Sequence, residues 1–190
     1  SQVTIVELLP TIIPQADKDV IRNYRREAKK LFDSIRENTK TEFEETDDGM
    51  LATFSSGEKE EQERFDRVLL AVGRAPQTDG LGFENTSVEV DDDGFIVTDE
   101  QMRTKDGAIF AVGDVAGQPL LAHKGSHEGR VAAEAIAGKN TAFEPNAIPA
   151  VEYTVPQVAW CGITENEAEE EGREVKTATF PWSASGRNAT

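Results

Sequence analysis

Apolar residues in the first part of the chain follow first the spacing of a strand and then that of a helix. Residues 3–6 form a short β-branched run, which is typical of a strand. Across residues 20–35 the apolar positions recur every three or four residues, as on one face of an amphipathic helix, and Asp17 can cap its start. The pattern therefore predicts a strand that leads into a helix.

The pattern then changes to that of short strands. Residues 39–45 and 50–54 are joined by Asp47-Asp48-Gly49, in which the Asp-Gly pair suits the positive φ of a tight hairpin turn. We therefore expect a β-meander. The apolar run at 68–72 shows no polar alternation, which is typical of a strand buried on both faces.

In the second half, short strands are predicted at 94–98 and 108–112, and the second of them ends at Gly113-Asp114. The alanine-rich stretch 122–137 predicts a helix that is closed by Gly138. Composition and pattern together suggest three segments, which span residues 1–77, 78–147 and 148–190.

The last segment has the pattern of a small mixed domain. Strands are predicted at 151–154 and 158–161. They precede a short helix that opens with a capping box of Thr164 and Glu167 and ends at Gly172. The order of elements along the whole chain thus predicts an α/β fold.

Composition limits the setting of the protein. No apolar run approaches the roughly 18 residues that suggest a membrane helix, and the first residues do not resemble an export signal. Cys161 is the only cysteine, so the chain has neither an internal disulfide nor a cysteine metal cluster, and we predict no metal site. A reducing, cytoplasmic location and a packed Cys161 are expected.

The charge balance is strongly acidic. Thirty-six acidic residues against 20 basic ones leave a net charge of −16, which opposes binding to nucleic acid or anionic lipid. We expect no nucleic-acid or membrane partner. A halophilic source, in which salt screens the self-repulsion, is one hypothesis; an ordinary acidic protein is the other.

Glu7 is the first candidate for function, because it closes the predicted strand 3–6. In nucleotide-binding folds an acid at this position holds the adenosine ribose of NAD through both hydroxyls, and it would repel the additional phosphate of NADP. The alternative is a solvated surface carboxylate.

A second candidate is the predicted strand end formed by Ala71, Val72, Gly73 and Arg74, where a glycine permits close approach of a flat ligand. A simple stop between strand and turn is the alternative. The third is Asp114, at the carboxyl end of the predicted strand 108–112, where it can accept hydrogen bonds from the ribityl chain of FAD. The helix start at Ala122 offers free N–H groups to a reduced flavin.

Three motifs make a family resemblance specific. Ala-Val-Gly-Arg-Ala-Pro (71–76), Ile-Phe-Ala-Val-Gly-Asp (109–114) and Leu-Ala-His-Lys-Gly (121–125) resemble the pyridine nucleotide-disulfide oxidoreductases. The resemblance implies partial FAD/NAD(P)-binding Rossmann-like domains, followed by the start of an α+β dimerisation domain. The stretch 119–129 is most similar to the members that oxidise protein-bound dihydrolipoamide with NAD⁺, through a redox disulfide and FAD.

Carried onto this sequence, the resemblance makes Glu7 the ligand of the NAD ribose and residues 71–74 part of the NAD site. It assigns Asp114 to the FAD ribityl and the backbone of Ala122 to the flavin ring. It implies FAD and NAD as cofactors, with a second copy of the chain and the lipoyl-bearing component of a 2-oxo acid dehydrogenase complex as partners.

The resemblance also implies an internal fragment without catalytic residues. The redox cysteine pair and both glycine fingerprints are expected before Ser1, and the acid–base histidine after Thr190. His123 and His127 are therefore interpreted as structural. Two alternatives remain: a mercuric or glutathione reductase-like enzyme, which Glu7 and the 119–129 stretch disfavour, and a non-catalytic acidic interaction module.

Overall fold

The computed structural model describes residues 2–186, and these form two compact units. The first unit contains residues 2–45, 51–64 and 151–186, and the second contains residues 46–50 and 65–150. The predicted domain boundaries after residues 77 and 147 stay a prediction.

The first unit begins with a β-α-β arrangement. β1 (Thr4–Val6) and β2 (Ser34–Arg36) pair in parallel, with Ile5 opposite Ile35. Parallel neighbours need a crossover connection, which α1 (Lys18–Ala28) supplies. The helix buries one face in a core made of Ile12, Ala16, Ile21, Tyr24, Ala28 and Val158. The predicted strand and helix start are confirmed.

The predicted length of α1 was wrong, because the helix ends at Ala28 and not near residue 35. Phe32 and Ile35 continue the helical spacing, but they pack against the same core from the loop and from β2. Asp17 stands at the N-cap position without a capping hydrogen bond. Its carboxylate accepts instead from the N–H of Glu165, at 2.8 Å.

A three-stranded sheet follows in the order β3 (Lys40–Thr46), β4 (Gly49–Ser56), β5 (Lys59–Phe65). Two-residue turns join the strands, so the predicted meander is confirmed. Gly49 adopts φ +119°, and a Cβ there would lie 2.7 Å from the carbonyl oxygen of Phe65. β5 escaped prediction because it is almost entirely charged and exposed.

Residues 150–170 form the two short strands and the short helix that were predicted near this point. β6 (Ala150–Glu152) pairs with β7 (Val158–Trp160), and α3 spans Glu165–Glu170. The capping box is present, since Thr164 and Glu167 each accept a hydrogen bond from the backbone N–H of the other. Cys161 was expected to be packed but is exposed.

The second unit is built around α2 (Ala122–Ile136), whose start and end agree with the prediction. Val131 and Ala132 of this helix pack with Met102, Phe110 and Phe143. The strands predicted at 94–98 and 108–112 are reduced to isolated bridges, Val90 with Ile96 and Arg103 with Phe110. None of the helices in residues 2–186 has the length and apolar character needed to cross a membrane.

The prediction of a buried strand at 68–72 was wrong. This run lies outside any strand, and Leu69 and Val72 are 89% and 93% exposed. A strand buried on both faces needs neighbouring strands to pair its backbone groups. The described residues place no strand beside it, so its apolar side chains stay uncovered.

Candidate cofactor-binding site

Glu7 lies directly after β1, and the main chain holds it firmly. Its N–H donates to the carbonyl of Arg36 at 2.8 Å, and its carbonyl accepts from the N–H of Thr39 at 3.0 Å. The residue is half-buried, and its carboxylate accepts from the N–H of Leu9 through Oε1, at 2.8 Å. Glu7 is therefore presented at the carboxyl end of a parallel strand pair, where α/β sheets bind ligands.

Glu37 follows β2 at the same edge of the sheet but is fully engaged. Its Oε1 accepts from the N–H of Ile12 at 2.8 Å, and its Oε2 pairs with the guanidinium of Arg25. These bonds tie the loop after β1 and helix α1 to the end of β2. Glu37 thus serves the structure of this edge, whereas one oxygen of Glu7 has no partner among the described residues.

Asp114 belongs to a short turn, residues 113–117, which we name the Asp114 turn. Extended backbone at Val112 leads into Gly113, whose φ of +81° favours glycine, and a 3-10 helix spans Gly113–Ala116. The side chain of Asp114 is 48% exposed. The turn therefore presents this carboxylate to solvent.

Arg74 meets Asp114. One guanidinium nitrogen, Nη1, lies 3.1 Å from Asp114 Oδ2, and Nη2 donates to the carbonyl of Leu120 at 2.6 Å. Both side chains are largely exposed, so the ion pair contributes little to stability. Two predicted site residues are brought together here, while Ala71, Val72 and Gly73 are exposed and lie outside any strand.

Helix α2 packs beneath the Asp114 turn through a buried ion pair. Lys124 Nζ lies 2.8 Å from Glu128 Oε1, and the two side chains are only 4% and 3% exposed. Lys124 also donates to the carbonyls of Gly117 and Gly113, and Glu128 Oε2 accepts from the N–H of Gly113 at 2.7 Å.

Sequence reasoning missed this pair, although a signal was present. Lys124 and Glu128 are four residues apart, and their positions continue the buried stripe of Val131, Ala132 and Ala135 along α2. Two opposite charges four residues apart on the apolar face of a helix indicate a buried ion pair with a role beyond stabilising that helix.

Helix α2 begins at Ala122, which is exposed. Its N-cap residue, Leu121, makes no side-chain cap, and the carbonyl of Leu121 accepts from the N–H of Gly125 at 3.2 Å. The N–H groups of the first helical turn lack acceptors within the helix, and they carry its positive dipole end. This terminus can therefore accept a group with negative charge.

Comparison with known proteins gives the same assignment as the motifs. The model of the family described as "Pyridine nucleotide-disulphide oxidoreductase" matches residues 1–129, which is more than half of the chain. The chain belongs to this family. The model of the family's dimerisation domain matches residues 148–190. The predicted family and its Rossmann-like α/β fold are thereby confirmed.

Curated relatives with the name dihydrolipoyl dehydrogenase match nearly the entire chain. The Vibrio parahaemolyticus protein is 48% identical over 189 residues, which cover 98% of this chain and 40% of the relative. The Halobacterium salinarum protein is 42% identical over 190 residues, and the match covers 99% of this chain and 40% of the relative. The chain thus spans about 40% of the curated relatives that it matches.

Solved structures share the fold. The flavoprotein disulfide reductase RclA from Escherichia coli has a TM-score of 0.82 at 26% identity, and the match covers 98% of this chain and 43% of RclA. LpdA from Mycobacterium tuberculosis has a TM-score of 0.83 at 22% identity, covering 99% of this chain and 41% of LpdA.

Proposed function

We propose that this chain is part of a dihydrolipoyl dehydrogenase, in which its residues bind and orient FAD and NAD. The observation that carries the proposal is the presentation of the Asp114 carboxylate on a glycine-started turn next to the open start of α2. Identity of 48% to a protein with that name supports the choice within the family.

The Asp114 turn has the chemistry to hold the ribityl chain of FAD. Asp114 Oδ2 contacts Arg74, which leaves Oδ1 to accept hydrogen bonds from hydroxyl groups. A Cβ placed on Gly113 or on Gly117 would meet no described atom within 4 Å, so a ligand can approach the backbone at both ends of the turn. The free N–H groups at Ala122 would stabilise negative charge on the isoalloxazine ring.

The end of β1 has the chemistry to hold the adenosine ribose of NAD. Glu7 uses one carboxylate oxygen on the N–H of Leu9, and the other is free to accept from ribose hydroxyls. The same negative charge disfavours the phosphate of NADP. We assign Ala71, Val72, Gly73 and Arg74 to the NAD side as well, with Arg74 also neutralising Asp114.

In the parent enzyme the reaction would convert two thiols of dihydrolipoamide into a disulfide, with the hydride passing to NAD⁺ and a proton to solvent. Bound FAD would supply the two-electron carrier between these partners. The residues described here bind and orient. His123 contacts the carbonyl of Pro149 at 2.7 Å, and His127 packs edge-on against Phe143, which supports structural roles for both histidines.

The match to a dimerisation domain supports a second copy of the chain as partner. The lipoyl-bearing component of a 2-oxo acid dehydrogenase complex would be the substrate-carrying partner, and the cytoplasm the expected location. A broader alternative is another flavoprotein disulfide reductase, which the likeness to RclA favours.

We also propose a halophilic source, supported by the net charge of −16. Salt screens repulsion among exposed carboxylates, so the melting temperature of the full-length protein should rise between low and molar salt. Melting followed by circular dichroism across that range measures this effect. Maximal stability at low salt would favour an ordinary acidic protein instead.

The flavin assignment is tested by replacing Asp114 in the full-length protein. Loss of a hydrogen bond to a charged group costs about 1.5–3 kcal/mol, so Asp114→Ala should weaken FAD binding roughly 10- to 100-fold. Fluorescence titration of the apoprotein with FAD measures the change. Asp92→Ala, which removes an exposed carboxylate from the same unit, is the matched control. Equal FAD affinity in both variants would overturn the assignment.

A further inference from the structure

The ion pair of Lys124 and Glu128 is unusual in its burial. Charged side chains with only 4% and 3% exposure lose their hydration, and such a loss is tolerated when every donor and acceptor is satisfied. Here that condition is met. The three donors of the Lys124 ammonium face Glu128 and the carbonyls of Gly113 and Gly117, while the second oxygen of Glu128 accepts from Gly113.

Within the described residues, the backbone hydrogen bonds of the two side chains all go to the Asp114 turn. Gly113 is held through both its N–H and its carbonyl, and Gly117 through its carbonyl, at 3.0 Å from Lys124 Nζ. Asp114 lies between these two anchors. From the other side, the N–H of Ile96 donates to the carbonyl of Val115 at 2.8 Å. The position of Asp114 is therefore determined at both ends of a five-residue turn.

We propose that Lys124 and Glu128 are positioning residues for the flavin, which they do not touch themselves: their buried pair fixes the Asp114 turn, and flavin affinity depends on it. The proposal rests on the proposed function of Asp114. It assigns to α2 a second task besides its open N-terminus, namely to hold the turn that faces the ligand.

A purely structural pair would behave differently. A buried ion pair that serves stability alone can be replaced by apolar side chains of similar volume with little loss, and often with a gain. Such a replacement removes every bond from the pair to Gly113 and Gly117 while the helix stays packed. Stability and flavin affinity should then separate, and this separation is the signature of positioning.

The test compares variants of the full-length apoprotein by melting temperature and by fluorescence titration with FAD. The double variant Lys124→Met/Glu128→Leu should remain folded, with FAD affinity at least 10-fold weaker than that of the original protein. Lys124→Gln/Glu128→Gln is neutral as well but keeps hydrogen-bonding groups toward the turn, so its affinity should lie closer to the original. Equal FAD affinity in the two folded double variants and the original protein would overturn the proposal.

Arg130 and Glu134 provide the matched control, because they form an ion pair with the same spacing on the same helix but are more exposed, at 77% and 28%, and make no hydrogen bond to the Asp114 turn in the part of the chain that the structure describes. Arg130→Met/Glu134→Leu should leave FAD affinity unchanged. If the apolar Lys124/Glu128 variant does not fold, Glu128→Asp serves in its place. Shortening the side chain withdraws the acceptor from Gly113 but keeps the charge, so FAD affinity should fall several-fold, and unchanged affinity would contradict the proposal.

The Asp114→Ala variant distinguishes failure of the flavin assignment from failure of the positioning role. If that variant binds FAD as well as the original protein does, the flavin assignment itself fails. If Asp114→Ala weakens binding while the folded Lys124 and Glu128 variants do not, only the positioning role is wrong.

Discussion

Glu7 and Asp114 are both acids that follow an apolar, extended segment, yet different atoms hold the backbone around them. Glu7 is fixed by main-chain hydrogen bonds to Arg36 and Thr39, as a continuation of the β1–β2 ladder. The Asp114 turn is fixed at both ends by the side chains of Lys124 and Glu128.

The difference follows from how much regular sheet each region contains. A paired strand satisfies its own backbone groups through its neighbour, and helix α1 packs on the pair with a core that includes Ile21, Tyr24 and Ala28. Around Asp114 the extended segments make single bridges only. Buried side chains must therefore supply the bonds that a ladder would otherwise give.

The largest effect on stability is expected from a substitution in the core that packs against β1 and β2 and so supports Glu7. Ile21 is 3% exposed in the core of the first unit, so Ile21→Ala is expected to destabilise that unit by about 2–5 kcal/mol. Hydrogen exchange of the full-length protein should then accelerate at residues 4–7 and 34–39, with little change at 113–117. Arg22→Ala, on the exposed face of the same helix, should stay within about 0.5 kcal/mol of the original protein.

Equal acceleration in both regions would break the comparison, because it would mean that the two acids depend on one cooperative structure. Acceleration limited to residues 4–7 and 34–39 would sharpen the comparison. In that case NAD binding should weaken in Ile21→Ala while FAD binding is retained.

The sequence predicts well those parts of the fold whose signals are local. The start of α1, the first hairpin, α2 and the capping box of α3 depend on spacing and on side chains within a few residues, and all four are confirmed. The end of α1 was mispredicted because Phe32 and Ile35 serve the same core from β2 and its loop. The run at 68–72 was mispredicted because a buried strand needs neighbouring strands from distant parts of the sequence. Local spacing does not reveal whether such neighbours are present, and the run is exposed.

The candidate site was predictable to a similar degree. Glu7 and Asp114 could be singled out as acids that follow predicted strands. The contact between Arg74 and Asp114 joins residues 40 positions apart, and no local pattern specifies it. Lys124 and Glu128 carried a signal in their position on the apolar stripe of α2, but their contacts with Gly113 and Gly117 require the folded turn.

A smaller effect should come from the close approach of α2 to the Asp114 turn. A Cβ on Gly125 would lie 3.0 Å from the Cα of Gly113, which is tighter than an ordinary contact. Gly125→Ala should therefore push the turn from the helix, at a cost of about 1–3 kcal/mol. Replacing a helical glycine also gains about 1 kcal/mol of helix propensity, which offsets part of that cost.

Gly129 provides the control that separates these two terms. It lies one helical turn further along α2, and a Cβ there would meet no described atom within 4 Å. Gly129→Ala should thus show the propensity gain alone, with a raised melting temperature and unchanged FAD affinity. Gly125→Ala should melt lower than Gly129→Ala and bind FAD more weakly. If the two variants behave alike, helix packing does not set the Asp114 turn, and the ion pair alone would have to hold it.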